Sequence, residues 1–211
     1  VITTSRVVED VVKILSERDV GEIIIGEGII TMDATDKETA KDAFEKLGYN
    51  LLKERYGVKP INLFERPYEK VDLGDGVSAR MSKDILDADF LIDLPVLKTH
   101  AQCMASLSIK NLKGTIPMSS RKKFHSEDPD DPTHDLDYKI AHLPNVMPPG
   151  LTILDGIYTL ERGPTFDGKA HRSDILVCSK DLLSADKVGA ALLGFEPSEI
   201  PHLTFASQIN D

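Results

Sequence analysis

The chain has 211 residues, 41% of them hydrophobic, and a formal charge of −10; it is long enough for one domain with a real core and too acidic for a broad phosphate footprint on nucleic acid. No apolar run approaches the ~18 residues of a membrane-spanning helix. Cys103 and Cys178 are the only cysteines, too few to ligate an iron–sulfur cluster within one chain or to build a disulfide framework. The expected compartment is therefore a reducing cytoplasm. No secretory signal precedes Val7, and the absent initiator Met reads as a trimmed start.

In chain order, Val7, Val8, Val11, Val12, Ile14 and Leu15 recur at helical spacing behind Ser5 and predict a helix from Arg6 to Arg18. Glu22 to Gly26 is a short continuous apolar run, as expected of a strand buried on both faces, with Glu27 and Gly28 at its carboxyl end. Ala40, Ala43, Phe44 and Leu47 mark a second amphipathic helix, and Leu51 to Tyr56 extends it. Ile61 to Phe64 reads as a strand, Val77 to Met81 as an edge or hairpin strand, and Phe90 to Leu94 as a core strand. Ala101 to Leu112 is expected to be helical, since Met104, Leu107 and Leu112 approximate one face and Gly114 falls just past the end. From Thr115 to Gly150 prolines, charges and histidines predict a mobile, lid-like loop around a short helix near Leu136 to His142. Leu151 to Asp155 and Ile175 to Cys178 read as strands, and Leu182 to Leu193 as a helix ended by Gly194.

Strands alternating with helices predict a single α/β domain over residues 1–211, with a mostly parallel sheet, helices on both faces and a long inserted loop. Ligands of such sheets bind beyond the carboxyl ends of the strands, which places Glu27, Lys98, His100, Asp155, Ser179 and Asp181 along one rim. Lys98 and His100, expected at a helix entrance, suit an anion site, and Lys110 and Asn111 add donors from the other end of that helix. The basic run Arg121 to Lys123 is expected to face solvent, while His125 is a candidate to reach the site. Gly163 and Gly168 bracket a turn-rich segment whose backbone amides can approach a ligand; Gly114 offers the same freedom. Neither a phosphate-binding loop nor a dinucleotide fingerprint is complete, and no nucleophile elbow occurs. His100, His125, Glu27, Asp155 and Asp186 are chemically suited to a divalent metal, although no local pair fixes them together.

Four strings carry a resemblance across nearly the whole chain. They are Asp93-Leu94-Pro95-Val96-Leu97-Lys98-Thr99-His100, then Lys110-Asn111-Leu112-Lys113-Gly114, then Leu154-Asp155-Gly156-Ile157 with Gly163-Pro164 and Gly168, and finally Ser179-Lys180-Asp181 with Ala185-Asp186. Together they resemble the domain of unknown function 362 family, with Glu27 and His125 where that family places an acidic residue and a histidine. The resemblance implies an α/β domain sometimes joined to a ferredoxin-like module. It also implies a Lys-Pro-Asn first strand that is not present here, so a fragment with an incomplete sheet and site is expected.

Three functional readings follow. In the first, Lys98 and Lys110 hold a small anion, His100 and His125 transfer a proton or ligate a metal, Asn111 orients the ligand, and Glu27 and Asp155 act as base or metal ligands. In the second, the chain is a non-catalytic redox or cofactor-delivery accessory that docks an iron–sulfur partner through residues 115–150. In the third, the lysines neutralise Glu27 and Asp155 in a buried structural network.

Overall fold

A computed structural model describes residues 2–29, 38–125, 131, 133, 135–163 and 168–209. They form an α/β fold in two compact units, Thr4–Pro67 and residues 68–209 with 2 and 3.

In the Thr4–Pro67 unit, α1 (Ser5–Ser16) buries Val7, Val8 and Val12, the apolar stripe expected from their spacing. β1 (Ile24–Glu27) pairs in parallel with β2 (Lys59–Asn62). Between them lie α2 (Glu38–Lys46) and α3 (Tyr49–Tyr56). Gly48 and Gly57 flank α3 with φ of 76° and 70°, a left-handed backbone that a side chain would strain. Gly26 packs so closely on Leu63 that a Cβ would lie 3.1 Å from its Cδ2.

The second unit opens with a hairpin of β3 (Tyr68–Gly74) and β4 (Val77–Ser82), turned at Asp75 and Gly76, both at positive φ. After α4 (Lys83–Leu86) come the strands of a mixed sheet: β5 (Leu91–Asp93), β6 (Val96–His100), β7 (Met104–Ser106), β8 (Gly150–Glu161) and β9 (Lys169–Ser179). β5 and β6 run parallel to β8 in succession along one of its edges, while β9 lies antiparallel on the other. The break between β5 and β6 is Leu94-Pro95; Pro95 has no N–H to offer the ladder, but its carbonyl accepts from the Asp155 N–H at 2.8 Å.

Three sequence expectations differ from the structure. Lys98 and His100 do not stand at a helix entrance: they lie on β6, which folds back through 101–103 into β7, pairing Lys98 with Ser106 and His100 with Met104. The helix expected from Ala101 is reduced to α5 (Ser108–Asn111) and a 3-10 turn, Leu112–Thr115. Strand pairing overrides the apolar spacing, and Met104 takes a φ of 58° that no helix tolerates. Residues 115–150 also hold more helix than expected, α6 (Met118–Phe124) as well as α7 (Leu136–Ala141).

α8 (Leu182–Leu192) and α9 (Pro201–Ile209) complete this unit. Its core is the apolar set Leu97, Leu107, Ile109, Ile116, Ile140 and Leu154, each at most 1% exposed. Gly189 lets α8 close on that core, since a Cβ would lie 2.8 Å from Leu154 Cδ1.

Candidate functional site

β6 alternates its side chains, so Lys98 and His100 share one face while Leu97 enters the core. The ring of His100 shapes the turn beyond it: Nδ1 accepts from the backbone N–H of Gln102 at 3.1 Å and of Cys103 at 3.2 Å. Toward this imidazole the chain brings Lys110 from α5 and Lys113 from the following turn. Burial, then the charges of Lys110, Lys113 and Lys98, hold His100 down at about 4, against a smaller opposing influence of Asp137.

His125, just past α6, belongs to the same constellation. Its Nε2 is hydrogen-bonded to the Lys113 ammonium. Burial, followed by Lys113, Lys110, Arg121 and Lys139, also lowers it to about 4. Both imidazoles are therefore neutral at pH 7. Burial brings the Lys113 ammonium down to about 8, and the charges of Lys110 and Arg121 add to that lowering. Arg121 donates to the carbonyls of Ile116 and Lys113 at 3.3 and 3.5 Å, and burial lowers its guanidinium as well. Lys139, 5% exposed, lies 5.6 Å from the ring centroid of Phe124.

Lys110 is the exceptional member. It is 7% exposed, and it has no hydrogen-bond or ion-pair partner among the described residues. Burial lowers its pKa, opposed by Cys103 and Asp137. Asp137 is a carboxylate acting on His100, Cys103 and Lys110, and it accepts from His202 Nδ1 at 2.8 Å. Burial, then Asp137, pushes the Cys103 thiol up to about 11, so it stays protonated. The cationic side chains Lys110 and Lys113 act on both imidazoles, Lys98 on His100, and Arg121 and Lys139 on His125. Such a place attracts an anion and repels a free cation.

The other candidate residues are placed differently. Asn111 donates to Asp93 Oδ1 at 2.7 Å, which ties α5 to the end of β5. Asp186, fully buried on α8, accepts from Ser108 N–H at 2.7 Å and Ile109 N–H at 2.9 Å, one oxygen each, so it holds the start of α5. Its pKa is raised to about 6 by burial against those two bonds. Asp155 accepts from Ile157 N–H at 3.0 Å across the bulge of β8. Gly114 lies in the 3-10 turn with open space around it. Gly163 packs under β6, where a Cβ would meet Thr99 O at 2.9 Å, and its own carbonyl accepts from Ala101 N–H. Gly168 borders 164–167, and those four residues lie outside the described set, as does His134. Glu27 belongs to the Thr4–Pro67 unit, where it accepts from Tyr49 Oη at 3.4 Å. Among the described residues no three His, Cys, Asp or Glu side chains group as a metal would require. His142 is fully buried, with Nδ1 at 2.8 Å from Tyr138 O.

Sequence reasoning missed Arg121, Lys113, Asp137 and Lys139. A readable signal for Arg121 existed: Arg121 on α6 and His125 at its C-cap are i,i+4, beside the buried Phe124, so they share a face that is not free in solvent. Lys123 of the basic run is exposed, as expected. Asp137 and Lys139 depend on the packing of α7 against α9, for which no local pattern exists.

Fold and site together define an α/β protein with a half-buried cationic cluster behind a strand hairpin. The chain belongs to the family described as domain of unknown function (DUF362), whose model matches residues 1–191, in agreement with the resemblance carried by the four strings. It is similar to the thylakoid-associated protein sll1697 of Synechocystis sp., 31% identical over 170 residues, which are 81% of this chain and 52% of that relative. The chain thus spans about half the length of the curated relative it matches. No solved structure matches it. No described helix is long and apolar enough to cross a membrane.

Proposed function

We propose that the Lys110 cluster binds a small, multiply charged oxyanion, such as a phosphoryl or carboxylate compound. The observation that carries this reading is the Lys110 ammonium, 7% exposed without a partner carboxylate among the described residues. A buried lone cation is costly, and it persists where a bound counter-charge offsets the cost. Lys113 and Arg121 supply further positive charge, and the neutral imidazoles add donors without adding repulsion. At Lys110 the structural-network reading has less support, because that ammonium forms no ion pair with a described carboxylate.

The test is thermal unfolding with sulfate, phosphate, diphosphate and a dicarboxylate, each compared with chloride at equal ionic strength. A multivalent anion at about 100 times its Kd should stabilise the protein by about 2.7 kcal/mol. Equal effects of all the salts, tracking ionic strength alone, would sink the reading.

A further inference from the structure

We infer that His100 serves this site as a neutral hydrogen-bond donor through Nε2–H, a positioning residue for an unprotonated oxygen of the anion, and not as a cation or as a base or metal ligand at Nδ1. The inference rests on the anion-binding reading above. Its basis is the direction of two hydrogen bonds. Backbone N–H groups only donate, so the Nδ1 lone pair is engaged by Gln102 and Cys103 and the single proton of the neutral ring sits on Nε2. A proton on Nδ1 would face both N–H groups and open the turn at 101–103. Nε2 has no hydrogen-bond partner among the described residues, so this donor is unspent.

The groups facing the ring agree with a neutral state. Lys98 comes from its own strand β6, Lys110 from α5 and Lys113 from the next turn, all opposing an imidazolium. Asp137 of α7 favours one, but it already accepts from His202 Nδ1. Charge complementarity is thus assigned to the lysines and the arginine, and direction to His100. The ligand class this fits is a fully ionised oxyanion that presents a bare acceptor to the imidazole.

The experiment is calorimetric titration of the whole chain with sulfate, which stays a dianion throughout, from about pH 5 to about pH 8. His100→Asn keeps an acceptor for the two backbone N–H groups and leaves no donor at the Nε2 position, because its shorter amide does not reach there; His100→Gln restores an amide N–H near the Nε2 position. Expected are an affinity constant within about twofold between pH 5 and 7.5, a loss of about tenfold in His100→Asn, and recovery to within about threefold in His100→Gln. Histidine 15N spectra of the unliganded protein should show His100 as the Nε2–H tautomer at neutral pH. An Nδ1–H tautomer, a sulfate affinity that climbs about tenfold on acidification, or unchanged binding by His100→Asn would overturn this role while leaving the binding reading intact. Failure of the unsubstituted protein to bind sulfate or any other oxyanion would overturn both.

Discussion

Lys110 embodies the conflict on which the account turns, because its ammonium is costly to the empty fold and useful to a ligand. Replacing it with the apolar, similarly shaped methionine should raise stability by about 1–3 kcal/mol, read as a higher denaturant midpoint, while weakening oxyanion binding at least tenfold. A midpoint that falls would show that the ammonium has a structural partner. Lys113 sets the alkaline limit. Its folded pKa of about 8 lies below the ordinary 10.5, so anion affinity should decline as pH rises through 8. The same depression makes its stability contribution to the empty protein present above 10.5 and lost as pH falls through 8. Sulfate titrations on either side of that value check the first statement, since the ligand itself does not titrate there.

Among the elements, the β6–β7 hairpin and α5 carry the proposed site, and each is held by a contact distant in sequence. Asp186→Ala leaves the N–H groups of Ser108 and Ile109 unsatisfied in the core and should cost about 2–4 kcal/mol, measured by equilibrium unfolding. Gly163→Ala pushes a methyl group against Thr99 O and should cost about 1–3 kcal/mol while lowering anion affinity through displacement of His100. Wild-type stability in that variant would show that β6 yields without strain. Much of this architecture was legible: the apolar periodicity of α1 and the runs at β1 and β8, although β1 is not buried on both faces as expected, since Ile24 is 39% exposed. The helix expected from Ala101 was not, because pairing between His100 and Met104 is a tertiary choice that Met104 and Leu107 conceal by matching helical spacing. Asp186 shows a different limit. Its residue type suits a metal, and only the fold reveals that both oxygens are already engaged by backbone.

For the whole molecule, the proposed oxyanion site combined with the formal charge of −10 predicts a preference for small anions over extended polyanions. Two neutral imidazoles also set the acid limb of stability. His100 and His125 have folded pKa values near 4, below their ordinary 6.5, so their contribution is present above 6.5 and lost as pH falls through 4. Unfolding midpoints of the ligand-free protein should therefore decline across that window, and His100→Asn and His125→Asn together should flatten the decline. The most direct measurement is calorimetric titration of the unsubstituted chain and of Lys110→Met with one multivalent oxyanion at neutral pH. Saturable binding near one equivalent is expected, lost in a variant that is folded and no less stable; equal binding by the two proteins would contradict the Lys110 oxyanion site.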